Sequence, residues 1–193
     1  MNNNICNYSR ERFIYEINHS LTAELCNDII NKFNEDNYND ILYSSFLSQK
    51  WHRIHKCLKK ELLTHVSKYL INVNKPFYDK TTNYNLEYTA LSFNVKSYLD
   101  KLQFVIKKET PNKSVDVEYS NQTKIDKCIN IFKYIWFLNE YDGELVFWHT
   151  YSIKPTAGKL LIFPISWCFP YEFLIKTTDV KYYITGQIAI NNL

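Results

Sequence analysis

Apolar side chains recur every three to four residues between Leu21 and Tyr69, the spacing of one helix face, and gather from Leu86 onward into short dense runs of strand length. Before the first periodic segment, Phe13 to Ile17 reads as a short strand. A helix then opens at Leu21-Thr22-Ala23-Glu24, with Thr22 as N-cap because its hydroxyl can accept an otherwise unpaired backbone N–H. Cys26, Ile29, Ile30 and Phe33 form its apolar face, and Asn34 to Asn39 is a polar break. A second helix is predicted from about Ser48 to Leu70, since Trp51, Ile54, Leu58, Leu62, Val66 and Tyr69 fall three or four apart. Val73 to Tyr84, with Pro76, reads as loop.

Strand-like runs follow at Leu86–Val95, Leu102–Lys107, Val115–Tyr119, Ile131–Leu138, Glu144–Trp148, Lys159–Phe163, Tyr171–Ile175 and Lys181–Ile190. Helices first and antiparallel-type strands afterwards predict an α+β chain: a double-sheet barrel buttressed by N-terminal helices. One domain over residues 1–193 is expected, with a helical lead-in at about 13–72 and a barrel at about 86–190. The three glycines, Gly143, Gly158 and Gly186, each end or turn an apolar segment of the barrel region.

Composition narrows the function classes. A hydrophobic fraction of 46% over 193 residues supports one real core, and 17% aromatics suit a β-rich, ring-packed interior. The 23 basic and 20 acidic residues are interspersed, so the net charge of +3 leaves no electrostatic footprint for nucleic acid. The basic run Lys56 to Lys60 contains Cys57 and Leu58 and is followed by Glu61, which makes it a solvated helix face. Cys6, Cys26, Cys57, Cys128 and Cys168 show no metal-type spacing and read as reduced thiols. No run approaches the ~20 apolar residues of a membrane span, and Met1 to Asn4 lack the apolar stretch of a signal peptide. A soluble, intracellular, cytoplasmic protein without membrane contact is the expectation.

Three segments carry a resemblance. They are the lead-in Ile14 to Phe33 with Cys26; the strand Tyr134-Ile135-Trp136-Phe137-Leu138-Asn139-Glu140 with the turn Asp142-Gly143-Glu144-Leu145-Val146-Phe147; and Ile153-Lys154-Pro155-Thr156-Ala157-Gly158 leading into Lys159-Leu160-Leu161-Ile162-Phe163-Pro164. Together with Lys181-Tyr182-Tyr183-Ile184-Thr185-Gly186-Gln187 they resemble, in order and spacing, the prolyl-4-hydroxylase-like branch of the Fe(II)/2-oxoglutarate oxygenases. The resemblance implies a double-stranded β-helix, a jelly-roll or cupin-like barrel. It also implies that Lys181 stands where the family's lysine holds the far carboxylate of 2-oxoglutarate.

The same resemblance exposes a deficit. Oxygenases of this class hold Fe(II) with two histidines and one carboxylate. The stretch implied for the first histidine and its carboxylate reads Val115-Asp116-Val117-Glu118-Tyr119-Ser120-Asn121, and that for the distal histidine reads Trp167-Cys168-Phe169-Pro170-Tyr171-Glu172-Phe173. Neither contains histidine, which leaves Asp116, Glu118 and Tyr171 as degenerate metal positions. Phe137 replaces a tyrosine expected in the strand before Asn139. Of the five histidines only His149 lies in the barrel region, where it reads as an exposed loop residue. His52 and His55 share a helix face without a carboxylate at matching spacing, and neither pattern restores a metal site.

Lys181 is either a solvent-facing strand lysine or a retained anion-binding residue. Trp136, Trp148 and Trp167 are expected in the core or at the pocket mouth. The expected function is therefore a degenerate, non-catalytic oxygenase-fold protein that binds a small molecule or a protein and uses no cofactor. Two alternatives stand beside it: an active Fe(II)/2-oxoglutarate hydroxylase with a non-standard metal site, and a structural or assembly barrel of the kind used in viral or phage particles.

Overall fold

The helical lead-in forms where the apolar period places it. The structure, a computed structural model, describes residues 10–36, 41–43, 49–74, 104–109, 124–125, 128–175 and 179–191. Helix α1 (Ala23–Glu35) starts at Thr22, whose hydroxyl accepts the Leu25 N–H at 3.2 Å, and buries Cys26, Ile29 and Phe33. Helix α2 (His52–Asn74) follows a 3-10 turn at Gln49–Trp51; the turn buries Trp51, and the helix buries Ile54, Leu58, Leu62, Val66 and Tyr69. The Trp51 indole N–H donates to Asp36 at the end of α1 over 2.9 Å, and the Tyr69 hydroxyl donates to the Phe13 carbonyl over 3.0 Å. These bonds satisfy the polar ends of buried rings. Neither helix is long and apolar enough to cross a membrane.

Ten strands are described: β1 (Tyr15–Ile17), β2 (Ile41–Tyr43), β3 (Val105–Glu109), β4 (Lys124–Ile125), β5 (Cys128–Phe137), β6 (Gly143–Phe147), β7 (Tyr151–Ile153), β8 (Leu160–Pro164), β9 (Tyr171–Ile175) and β10 (Lys181–Asn191). All pair antiparallel. The larger sheet runs β1-β8-β5-β10-β3-β2, with β4 on β5, and the smaller runs β7-β6-β9. An α+β architecture of antiparallel sheets with two helices is thus the observed fold.

The predicted strand at Leu102–Lys107 forms two to three residues later, at Val105–Glu109, where it pairs with β10. Strands β2, β4 and β7 span three, two and three residues, too short to show a period of two. The expected strands at 86–95 and 115–119 lie outside the described residues.

Strand β5, central in the larger sheet, is buried on both faces. Tyr134 and Trp136 of β5, and Leu138 just past it, join the cluster built with α1 and α2, while Ile135 and Phe137 join a second cluster with Leu145, Phe147, Ile153, Tyr171 and Phe173 of the smaller sheet. This alternation follows from the period of a strand. The start of α1 lies against Gly158, just before β8. Gly158 (φ +81°) accepts from Leu21 N–H at 3.1 Å and donates to the Phe137 carbonyl at 2.8 Å, and a Cβ there would lie 2.0 Å from the Leu21 oxygen. Any other residue would force the start of α1 away from the larger sheet.

Burial also sets a stability profile. It holds the His65 imidazole below its ordinary value of 6.5, outweighing Glu61 at 3.4 Å, and it pushes the Cys26 thiol up from 9.0 to about 11. Tyr69, Tyr134 and Tyr141 are raised by the same cause. A depressed histidine stabilises the fold above its unfolded value and loses that contribution as pH falls; raised thiols and phenols lose theirs as pH rises. Urea midpoints are expected to fall below about pH 6.5 and above about pH 9, and His65→Gln is expected to remove part of the acid slope alone. Urea melts across the pH range check both limbs.

Candidate functional site

Two lysines point into the space between the sheets. In β10, Lys181 shares the inward parity of Tyr183, and its side chain is 0% exposed. A buried ammonium needs a counter-charge, and β3 supplies it: Glu109 is the residue directly opposite in the β10–β3 register, and its carboxylate pairs with the Lys181 Nζ. The ammonium also sits 3.5 Å from the Phe173 ring centroid and 4.9 Å from that of Tyr183, within cation–π range. The Tyr183 hydroxyl donates to the other Glu109 oxygen. Nearby, the buried Tyr141 hydroxyl has no hydrogen-bond partner among the described residues, and its pKa is pushed up first by burial and then by the Glu109 charge.

Asn139, just past β5, positions this lysine. Its amide donates to the Val180 carbonyl at 2.8 Å and accepts the Tyr182 N–H at 2.8 Å, gripping the peptide groups on either side of Lys181. The start of β10 is thereby held against the end of β5. The second lysine, Lys133 of β5, is also buried and donates to the Tyr171 hydroxyl of β9, with its Nζ 5.0 Å from that ring's centroid. Around the pair, Phe147 and Phe163 meet edge-to-face at 5.0 Å, and Tyr171 lies 5.2 Å from Phe163, 5.9 Å from Phe147 and 6.1 Å from Phe173. Aromatic rings occupy the volume between the sheets, and the two lysines are enclosed by them.

This architecture has solved counterparts. A viral collagen prolyl hydroxylase from Paramecium bursaria Chlorella virus-1, in its 2OG complex, superimposes with a TM-score of 0.62 at 14% identity over 96% of this chain and 98% of that one. A Pseudomonas putida prolyl-4-hydroxylase gives a TM-score of 0.56 at 13% identity over 93% of both chains. A Trichoplax adhaerens prolyl hydroxylase, in complex with a hypoxia inducible factor peptide fragment, gives 0.56 at 12% identity over 93% of this chain and 84% of that one. The fold is that of the prolyl 4-hydroxylases. No family model and no curated protein matches the sequence.

On the prolyl 4-hydroxylase fold the described residues do not fit an Fe(II) centre. Tyr171, implied at the distal ligand position, has a lysine donor on its hydroxyl and aromatic rings around it, whereas Fe(II) needs lone pairs from imidazole and carboxylate. Among the described residues no three His, Cys, Asp or Glu side chains group to hold a metal. Asp116 and Glu118 lie outside the described residues. His149 follows Trp148 on a positive-φ turn (57° and 53°), is 85% exposed, and lies 2.9 Å from Glu172. His52 is exposed and His55 packs its ring against Phe104 at 5.0 Å, so the two do not converge.

The tryptophans divide. Trp136 is fully buried and donates to Ser20 at 3.1 Å, and Trp148 is half-buried and donates to the Cys168 carbonyl at 2.6 Å. Trp167 departs from expectation: it is 89% exposed, because the tight turn closed by Phe169 N–H to the Ser166 carbonyl at 2.9 Å leaves its side chain outside.

The sequence reading passed over Glu109, Lys133, Asn139, Tyr141 and Tyr183 as site residues. Only Lys133 left a local signal, a lysine inside the apolar run Ile131–Leu138. Glu109 left none, since its partner is remote in sequence.

Proposed function

We propose that this chain is a non-catalytic protein on the prolyl 4-hydroxylase fold, acting as a binding module for a small ligand or a protein partner. Its barrel is read as a double-stranded β-helix, since β5 and β6, β7 and β8, β8 and β9, and β9 and β10 lie in alternate sheets. The observation that carries the functional reading is the Lys133–Tyr171 pair. A lysine amine donating to a phenol, enclosed by Phe147 and Phe163, offers a metal dication neither lone-pair density nor room. Lys181 is kept, yet its charge is already met by Glu109.

The test is an anaerobic calorimetric titration of Mn(II), then 2-oxoglutarate, followed by an aerobic assay with Fe(II) for succinate. The expected outcome is no tight metal binding and no succinate above a protein-free control. Tight Mn(II) binding that brings on 2-oxoglutarate binding would overturn the reading and direct attention to Asp116 and Glu118 as ligands.

A further inference from the structure

Helix α2 spends one face on the core and turns the other to solvent. Between Arg53 and Lys68 its exposed positions are Arg53, Lys56, Cys57, Lys60, Thr64 and Lys68, which share one side of the helix because they recur three or four residues apart. Four of these are cations and none is acidic. The acid within this stretch, Glu61, stands at the flank and faces His65 at 3.4 Å. Among the described residues no carboxylate pairs with Arg53, Lys56, Lys60 or Lys68. The balance of 23 basic and 20 acidic residues over the whole chain therefore hides a local segregation of charge. We infer that this stripe is a docking surface for the phosphate backbone of a nucleic-acid duplex.

A helix face that served solubility alone would alternate Glu with Lys, since opposite charges four residues apart stabilise a helix and like charges destabilise it. Lys56 and Lys60 stand four apart and repel, so the stripe is held at a cost that an anionic partner removes. What the face lacks selects the partner. Protein interfaces have an apolar core and are poor in lysine, and the exposed large apolar residues, Trp167 and Leu174, belong to other elements. A helix that settles into a lipid surface needs its apolar face free, whereas Ile54, Leu58, Leu62 and Val66 are buried in the core. Single strands are held by aromatic stacking as well as charge, and no ring stands among the exposed positions between Arg53 and Lys68. A duplex backbone asks only for lysine and arginine. From Arg53 to Lys68 the stripe runs about 22 Å along the helix axis, and a duplex carries one negative charge per about 1.7 Å, so each cation meets a phosphate whatever the base sequence. Helix α2 lies on the far side of the larger sheet from the smaller one, which makes this surface independent of what the space between the sheets does.

The experiment measures fluorescence anisotropy of a short labelled DNA duplex of arbitrary sequence against the full chain over a series of salt concentrations. Wild type is expected to bind at low salt, and four neutralised phosphates give a slope of log K against log salt of about −3.5, or binding roughly 100-fold weaker in 200 mM salt than in 50 mM. The Arg53→Gln/Lys56→Gln/Lys60→Gln/Lys68→Gln variant keeps its helix propensity and is expected to lose binding. Lys60→Gln alone is expected to make the slope shallower by about 1, whereas Lys154→Gln, exposed beyond β7 on the other side of the larger sheet, is expected to leave it unchanged. No duplex binding at 50 mM salt, equal binding by the fourfold variant, or equal slopes for Lys60→Gln and Lys154→Gln overturns the inference. So does binding to phosphatidylserine-containing vesicles or to poly(L-glutamate) that is as tight as to the duplex at equal negative charge.

Discussion

Glu109→Ala is expected to cost about 3 kcal/mol of folding stability, whereas Lys181→Met is expected to change it by less than about 1 kcal/mol, although both break the same ion pair. The asymmetry comes from where each charge is left. Without Glu109, the Lys181 ammonium stays fully buried among Phe173 and Tyr183 and loses the carboxylate that pairs with it, which is the situation that makes half-broken buried pairs expensive. Without Lys181, the Glu109 carboxylate keeps the Tyr183 hydroxyl and its one-third share of solvent, and a methionine of similar shape packs against the rings. The 3 kcal/mol sits at the lower end for broken buried pairs because water reaches the vacated Glu109 position. Urea denaturation of the two variants measures the difference directly. Equal losses would mean that the pair contributes as a unit and that Lys181 is more hydrated than its burial indicates.

Phe147→Ala is expected to lower stability by about 3–5 kcal/mol, the range for truncating a large core aromatic. Phe147 is fully buried at the centre of the inter-sheet cluster, with ring contacts to Trp148, Tyr151, Phe163 and Tyr171 at 5.0 to 6.5 Å. Its removal takes away transfer energy, edge-to-face contacts and the packing that holds Tyr171 against Lys133 together. Urea melts should show the loss, and near-UV circular dichroism should weaken because the neighbouring rings lose their fixed orientation. A loss under about 1.5 kcal/mol would mean that the small sheet collapses onto the gap with little strain.

A stability cost of this size reflects how the space between the two sheets is filled. The space between the sheets holds Phe137, Phe147, Phe163, Tyr171, Phe173 and Tyr183, with Lys181 and Lys133 each braced by a specific partner. The interior behaves as core, which is why substitutions there are expected to register first in stability.

Much of the scaffold was legible in the residue pattern. Helix α1 begins at the predicted Thr22 cap, and the faces of both helices are buried as their periods require, because helical amphipathicity is a local property of three to four turns. Strands β8, β9 and β10 were legible from their dense apolar runs, as was the turn at Gly158 from its Pro and Gly punctuation.

The contents of the site required more. Alternation along β10 left Lys181 on one face or the other, and nothing nearby in the chain states which face meets solvent. Its inward direction and its pairing with Glu109 depend on the β10–β3 register, which is set by hydrogen bonds and ring packing between segments far apart in sequence. The same holds for Lys133 with Tyr171, brought together across two sheets, and in the opposite sense for Trp167, an apolar residue left outside by a turn. Local periods thus specify which elements form and which of their faces are apolar. Which buried charge meets which partner is a long-range matter of register and volume, and it is settled when the sheets close over one another.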